Sequence, residues 1–235
     1  MCTEKTEKMI FEKEKKSSSE IKCVIVGDGG VGKTSILMSY TAGGIMMDYI
    51  PTCFDCYTVD MKSQDKSYSM TLIDTAGQET YDRLRTLSYF DTDVFVVCFS
   101  VADVDSFENV KSKWIPEIKQ YRPDTPFIIV GTQVDKRDIS PEDSLNSTVS
   151  YRSADSASMR CVSRRKAKSS AKKLGAKHYC ECSALRGEGV GDVISSALTT
   201  AIATTSKKKS SPLKSFTSLF HSKSKHKRSR QTANG

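Results

Sequence analysis

Short apolar runs alternate along most of the chain with longer segments in which apolar residues recur at helical spacing. This pattern predicts strands at residues 21–26, 57–61, 68–73, 94–100, 127–130 and 177–182, and helices at 32–40, 103–121, 161–174 and 190–203. Strands that alternate with helices favour a mostly parallel sheet, but the polar turn 62–66 is too short for a helical crossover. The predicted fold class is α/β, with a six-stranded mostly parallel sheet, one antiparallel hairpin and helices on both faces.

Three stretches lie outside this alternation. Residues 1–20 are dominated by Lys, Glu and Ser, a composition that favours a disordered N-terminal extension. Residues 136–160 have little periodicity, and we interpret them as a surface insertion in a domain that spans residues 21–205. Residues 206–235 contain nine Lys or Arg and no Asp or Glu, which predicts a basic tail that is either disordered or amphipathic.

The composition limits the classes of protein to consider. A chain of 235 residues with 37% hydrophobic content has room for one domain of common size plus tails. No apolar run approaches the roughly 20 residues that span a bilayer, and the charged N-terminus lacks the apolar centre of a secretory signal, so we expect a cytoplasmic protein. The eight cysteines are scattered, as is typical of free thiols. Cys53 and Cys56 have a redox or zinc spacing, but no matching Cys/His pair lies nearby in sequence.

A glycine-rich segment follows the first predicted strand and precedes the first predicted helix. Its glycines let the backbone curl so that successive N–H groups point at phosphate oxygens, beside the positive end of the helix. Lys33 can bridge the terminal phosphates of a nucleotide, and the Thr34 hydroxyl can ligate Mg²⁺. A nucleoside triphosphate is therefore the expected ligand. The segment consists of Gly27, Asp28, Gly29, Gly30, Val31, Gly32, Lys33 and Thr34, followed by Ser35.

Three further predicted strands end in residues that can complete a nucleotide site. A carboxylate after residue 73 can hold Mg²⁺ through water, and a glycine beyond it can donate its N–H to the γ-phosphate. A second carboxylate, after residue 130, can accept from the two N–H groups on the guanine edge, which adenine lacks. Since ligands of open α/β sheets bind at the carboxyl ends of the strands, these groups should converge. They are Asp74 and Gly77 near the phosphates, and Thr132, Gln133, Asp135, Ser183, Ala184 and Leu185 near the base.

Taken together, these motifs occur in the order found in Ras-superfamily small GTPases, which the chain resembles over residues 21–203. Residues 81–85, 87–89 and 106–114 are similar to the Rho family in particular. The Thr132-Gln133 pair is closest to its Rac/cell-polarity and atypical branches, and the insertion after Asp135 lies where Rho proteins carry theirs. The resemblance implies a P-loop small-GTPase fold.

It also implies GTP hydrolysis by in-line attack of water, with GTP or GDP as ligand and Mg²⁺ as cofactor. Intrinsic turnover should be slow, because no arginine finger lies in cis within the matched motifs. The implied partners are effector proteins such as kinases, exchange factors and GTPase-activating proteins. The implied catalytic residues are Gln78, which orients the water, and Lys33, Thr52 and Gly77. The implied metal ligands are Thr34, Thr52 and Asp74. The implied first switch includes Tyr49 and Thr52, and the implied effector contacts are Thr52, Phe54 and Asp55.

One departure from the family concerns the guanine base. Ile45 stands where the family usually places a Phe that packs against the ring. If that packing contributes about 1–3 kcal/mol, nucleotide release should be about 10- to 100-fold faster than in a typical relative. Gly43 and Gly44 should loosen the same loop. The alternative is that Met46 or Met47 fills the gap, with no kinetic effect.

The other departure concerns the tail. The last cysteine is Cys182, so the sequence offers no Cys-a-a-X box and we expect no prenyl anchor. All 28 acidic residues and all but nine of the 36 Lys and Arg residues precede residue 206, so the net charge of +8 belongs to the tail. We expect it to bind an anionic membrane surface, at the plasma membrane, endosome or Golgi. A solvated tail and a nuclear-localisation or nucleic-acid patch at residues 223–228 are the alternatives. Apolar residues recur at helical spacing in it, namely Leu213, Phe216, Leu219 and Phe220.

The motifs and the two departures are consistent with two functions. The first is a Rho-type switch that signals to the actin cytoskeleton, cell polarity or membrane traffic. The second is an interaction module that rapid exchange keeps loaded with GTP, so that hydrolysis has no regulatory part. A P-loop kinase is disfavoured, because Asp135 and Ser183 specify guanine and no second-substrate lid is visible.

Overall fold

The computed structural model describes residues 20–42, 54–137 and 161–210. Six strands form one sheet in the order β2-β3-β1-β4-β5-β6. β2 and β3 are antiparallel, and the other neighbours are parallel. This confirms the predicted fold class. The strands are β1 Glu20–Gly27, β2 Phe54–Ser63, β3 Lys66–Thr75, β4 Val94–Ser100, β5 Phe127–Thr132 and β6 Tyr179–Glu181.

Helices cover both faces of this sheet. α1 (Lys33–Ala42) and α5 (Val190–Ser210) lie on one face, and α3 and α4 (Arg164–Leu174) lie on the other. α3 consists of Val104–Asn109, a π-helical turn Val110–Trp114 and Ile115–Tyr121. α2 (Asp82–Leu87) follows a 3₁₀ turn at Glu79–Tyr81, and a second 3₁₀ turn, Val134–Arg137, follows β5.

The central strands are buried on both faces, which explains why they read as continuous apolar runs. In β1, Cys23 and Ile25 pack with the α1 and α5 side of the core, whereas Val24 and Val26 pack with the α3 and α4 side. Trp114 of α3 is fully buried in the second cluster. The two-sided core fixes the sheet so that the carboxyl ends of β1, β3, β4, β5 and β6 share one edge.

Several boundaries differ from the sequence predictions. α4 begins at Arg164 instead of residue 161, because the Ser163 side chain caps it by accepting from the Lys166 N–H. α5 continues to Ser210, seven residues beyond its predicted end. The turn and helix over residues 79–87 were not predicted, since this polar segment lacks helical periodicity. Within the ranges that the structure describes, no helix has the length and apolar character needed to cross a membrane.

Candidate nucleotide site

The loop between β1 and α1 has a backbone that only glycine permits at key positions. Gly27 has a φ of +146°, and a Cβ there would collide with the carbonyl oxygen of Cys98 on β4. Gly30 and Gly32 have φ values of +74° and +93°, which side chains disfavour. The loop therefore takes the curled path that a phosphate requires, at the start of α1.

Lys33 occupies the centre of this loop. Its Nζ donates to the carbonyl oxygens of Gly27 at 2.8 Å and of Asp28 at 2.7 Å. Burial lowers the pKa of the Lys33 ammonium, although the Asp74 and Asp28 carboxylates act in the opposite direction. A buried cation held among backbone dipoles is placed to meet the phosphates of a nucleotide.

Asp28 lies in the loop, but its side chain faces away from it. Its Oδ1 accepts from Trp114 Nε1 and its Oδ2 accepts from Asn109 Nδ2, both at 2.7 Å. Asn109 and Trp114 bracket the π-helical turn of α3. The backbone carbonyl of Asp28 accepts from Lys33 within the loop, whereas its carboxylate anchors the loop to α3.

Thr34 and Asp74 meet at the predicted metal position. The Thr34 hydroxyl donates to Asp74 Oδ2 at 2.5 Å, and Asp74 is fully buried near the end of β3. Next to it, the Thr75 hydroxyl donates to the Ile25 carbonyl and ties β3 to β1. A hydroxyl and a carboxylate are the hard oxygen ligands that Mg²⁺ takes, usually with phosphate and water completing the shell. The residues present therefore fit a magnesium ion.

The segment after β3 lies directly on the phosphate loop. A Cβ on Gly77 would collide with the backbone of Gly27 and Asp28. The side chain of Gln78 is exposed, and its Cγ lies 3.9 Å from a Cβ built on Gly29. Gly77 and Gln78 thus lie beside the phosphate loop.

Arg85 supports this segment, although sequence analysis gave it no role. Its Nη1 donates to the Ala76 carbonyl at 3.0 Å, next to Gly77. Its guanidinium also binds both oxygens of Glu117, at 3.0 and 2.8 Å, and lies 4.7 Å from the centroid of the Trp114 ring. Glu117 is 32 residues away on α3, so no local pattern could have paired the two.

The base side of the site is a cavity of about 160 Å³. Asp135 Oδ1 accepts from the Ser183 hydroxyl at 2.5 Å, which joins the segments after β5 and β6. Ser183 is fully buried, and its Oγ also accepts from the Arg186 N–H at 3.2 Å. The carboxylate of Asp135 is thereby held at the edge of the cavity, where it can accept hydrogen bonds from a ring that carries adjacent N–H donors. The lining includes Gly32, Ser35, Thr132, Gln133, Asp135, Ala184 and Leu185.

Thr132 and Gln133 connect the base side to the phosphate loop. The Thr132 hydroxyl is within hydrogen-bond distance of the Val31 and Phe99 carbonyls, at 2.5 and 3.0 Å. Gln133 Nε2 donates to the Gly30 carbonyl at 3.0 Å, and its Oε1 accepts from the Ser100 hydroxyl at 2.7 Å. Gln133 therefore takes part in the architecture of the site through its amide, without the charge of a Lys.

A second network braces the base side from behind. Arg137 donates to both oxygens of Glu181, at 2.8 and 2.9 Å, and to the Val162 carbonyl at 2.6 Å. The Tyr179 hydroxyl donates to Glu181 at 2.6 Å. Although burial acts to raise the pKa of Glu181, these hydrogen bonds lower it. Sequence analysis missed this network, whose members are separated by up to 44 residues.

The structure thus brings most of the sequence-predicted site together. Phe54 is half-buried and packs against the core, and Asp55 is exposed at the start of the edge strand β2. Ile45, Tyr49 and Thr52 lie outside the described residues. The residues gathered at the carboxyl edge are Gly27, Asp28, Gly29, Gly30, Val31, Gly32, Lys33, Thr34, Ser35, Asp74, Gly77, Gln78, Thr132, Gln133, Asp135, Ser183, Ala184 and Leu185.

A phosphate loop, a Thr–Asp pair and a guanine-type pocket at one sheet edge define a nucleotide-dependent small GTPase. Residues 22–203 match the family model described as Ras, the Ras family. The match covers most of the chain, and the chain belongs to the Ras family. Proteins of this family bind GTP and GDP, typically with Mg²⁺, and hydrolyse GTP.

Proposed function

We propose that this chain is a Rho-type GTPase that binds GTP and GDP, hydrolyses GTP and works as a molecular switch. One observation carries the proposal: the buried Lys33, the Thr34–Asp74 pair and the Asp135–Ser183 pair all lie at the same edge of the sheet. They can hold the terminal phosphates, the metal and the guanine edge of one nucleotide, in that order.

The residues divide the hydrolytic work between them. Lys33 neutralises charge that moves onto the phosphates, and the Gly77 N–H holds the γ-phosphate. Gln78, exposed above Gly29, orients the attacking water. Mg²⁺ held by Thr34 and Asp74, and by Thr52 in the first switch, would supply electrostatic stabilisation of the same charge. Loss of the γ-phosphate removes the contacts that fix Gly77, and this change is the signal.

The Rho assignment is supported by the motifs around α2 and α3. Arg85 belongs to the Rho-like segment 81–85, and Trp114 ends the Rho-like segment 106–114. The two side chains meet in the core beside the segment that contains Gly77 and Gln78. The exposed Asp55 and the half-buried Phe54 on β2 suit effectors that read the GTP state. We propose signalling to the actin cytoskeleton, cell polarity or membrane traffic, with exchange factors and GTPase-activating proteins as regulators.

The experiment that tests this function compares two rates on one sample. Release of a fluorescent GDP analogue and single-turnover GTP hydrolysis are measured with and without excess Mg²⁺. Slower release than hydrolysis supports a switch that needs an exchange factor. Faster release supports the module that stays loaded with GTP, as Ile45 predicts. Failure to bind guanine nucleotide would refute both.

Gln78→Leu tests the assigned chemistry. We expect hydrolysis to fall by at least about tenfold, because the water loses its orienting group. GDP release should stay within about twofold, since Gln78 makes no contact with the base side of the site. Glu79→Gln, at the exposed neighbouring position, is the matched control and should leave both rates unchanged. Intact hydrolysis in Gln78→Leu would remove Gln78 from the mechanism.

We further propose that the basic tail binds the cytoplasmic face of an anionic membrane. Because α5 continues to Ser210, a truncation should begin at residue 211 so that the helix is left whole. The truncated chain should lose most of its binding to anionic vesicles while it keeps GDP affinity. Unchanged binding would mean that the tail is not the anchor.

A further inference from the structure

The folded domain carries a strongly basic surface of its own. Residues 161–178 contain seven Lys or Arg and no Asp or Glu, although the chain up to residue 205 has a net charge of −1. The net charge of the domain is therefore close to zero although its positive and negative residues lie in different places. The tail accounts for the net charge of +8, but residues 161–178 form a second basic region within the domain.

Six of the seven cations lie on the outer side of α4, and Lys177 follows the helix. Ala167 and Ala171 are buried against the sheet, and the residues on the opposite side of the helix are exposed. Two of the cations have carboxylate partners: Lys166 lies 3.7 Å from Glu108, and Arg164 lies 3.8 Å from Glu181. Among the described residues, no carboxylate lies within 4 Å of the other five, which are Arg165, Lys168, Lys172, Lys173 and Lys177.

The arrangement opposes the stability of the helix itself. The first turn of α4 contains Arg164, Arg165 and Lys166 and no acidic residue, against the preference of a helix N-terminus for negative charge. Arg164, Lys168 and Lys172 repeat at intervals of four, which places like charges side by side. An anionic partner across this face would relieve both effects.

The fold places the C-terminal end of this helix, with Lys172, Lys173 and Lys177, away from the nucleotide. The Lys177 N–H donates to the carbonyl of Phe127, the first residue of β5, so the end of α4 lies at the amino ends of the parallel strands. α5 runs back to the same end. At 21 residues it is about 31 Å long, against about 20 Å for a six-residue strand. Ala201 is the last buried residue among its described side chains, so the chain leaves for the tail at this end.

We propose that α4 and Lys177 form a docking face for an anionic membrane, which acts together with the tail. We call it the α4 face and define it as Arg165, Lys168, Lys172, Lys173 and Lys177. Two weak basic contacts on one chain bind a surface more strongly than either does alone. The C-terminal end of this face and the start of the tail would then meet the bilayer together, and the nucleotide edge would stay open to partner proteins. The inference does not depend on GTP hydrolysis and shares only the membrane with the proposed function.

A membrane suits this face better than a nucleic acid does. Residues 163–178 contain no Phe, Tyr or Trp, so stacking platforms for bases are missing from this part of the chain. The outer side of one helix is convex and offers no groove for a backbone to follow. The tail that leaves the same end adds Leu213, Phe216, Leu219 and Phe220, which can insert between lipids.

The test uses the full-length, GDP-bound protein and sedimentation with vesicles of phosphatidylcholine, with and without about 30% phosphatidylserine. The α4-face variant changes four lysines to Ser at positions outside the nucleotide site: Lys168, Lys172, Lys173 and Lys177. The control variant removes the same charge from exposed lysines on β2, β3 and α3: Lys62, Lys66, Lys111 and Lys119. GDP affinity and thermal unfolding confirm that both variants are folded.

We expect the α4-face variant to need at least about tenfold more anionic lipid for half-maximal binding, and the control to stay within about twofold. Raising NaCl from about 100 to about 500 mM should erase the difference. Ser169→Glu, in the middle of the face, should weaken binding in the same direction, whereas Ser195→Glu on α5 should not. Equal effects of the two lysine variants would overturn the proposal. So would binding to neutral vesicles, or tighter binding to duplex DNA or RNA than to anionic vesicles. GTP hydrolysis is measured in parallel, so a failure of the switch is seen separately.

Discussion

The phosphate side and the base side of the site are built by different means. On the phosphate side the geometry depends mostly on the backbone, with positive φ at Gly27, Gly30 and Gly32 around the buried ammonium of Lys33. On the base side it belongs to side chains, with Asp135 held by the Ser183 hydroxyl. We therefore expect the phosphate side to determine the strength of nucleotide binding and the base side to determine the choice of base.

This difference predicts which substitutions should reduce nucleotide binding in steps and which should reduce it sharply. The loop should lose much of its affinity for phosphate when the Lys33 ammonium is removed, because no other protein side chain described in the loop carries a positive charge. A carboxylate held by a hydroxyl can be weakened in steps, through the partner or through the carboxylate itself. Three substitutions probe this contrast, in order of falling effect.

Lys33→Ala should have the largest effect. The change removes a buried ammonium, and hydrogen bonds to charged groups contribute about 1.5–3 kcal/mol each, so GTP affinity should fall by about 10²–10⁴-fold. Titration of a fluorescent GTP analogue measures it. Lys66→Ala, at an exposed position in β3, is the control and should bind normally. An affinity loss below about tenfold would mean that the backbone N–H groups carry the phosphates alone.

Asp135→Asn should change the choice of base. The Asn keeps an oxygen that can accept from Ser183, but it presents an NH₂ donor to the base in place of a second carboxylate oxygen. Affinity for guanosine nucleotides should fall by about 100-fold, and xanthosine nucleotides, which carry a carbonyl in place of the exocyclic amine, should gain. Competition between GDP and xanthosine diphosphate measures the switch. If both affinities fell alike, Asp135 would have a structural role only.

Ser183→Ala should have the smallest effect. It removes the hydroxyl that holds Asp135 but leaves the carboxylate itself, and one hydrogen bond to a charged group corresponds to about a tenfold change in the GDP release rate. Single-turnover hydrolysis should stay within about twofold, because the phosphate side is untouched. A matched loss of hydrolysis would show that the two sides of the site are not independent.

The same contrast explains what the sequence could predict. The phosphate loop was predictable because its glycines, Lys33 and Thr34 are adjacent in the chain and follow a buried strand. Asp74, Asp135 and Ser183 were predictable because each lies at or just beyond the carboxyl end of a strand, and parallel strands end at one edge. Local order was enough for residues of these two kinds.

The supports of the site were not predictable in this way. Arg85 with Glu117, and Asp28 with Trp114, are joined across 32 and 86 residues by the packing of α3 against the sheet. The basic α4 face was hidden for a different reason. Acidic residues elsewhere in the domain cancel its charge in any count, and only the helix shows that its cations share one side.

The π-helical turn in α3 has a consequence for comparing this chain with others. Ile115 donates its N–H to Val110, five residues back, so the turn holds one residue more than a regular helix would. This extra residue brings Asn109 and Trp114 to the same carboxylate, that of Asp28. A relative with a regular helix here would need a one-residue gap within 110–114 of a structural alignment. Without that gap, every residue of α3 beyond the turn would be aligned with a residue one position away. The two aligned side chains would then differ in direction by about 100° around the helix axis.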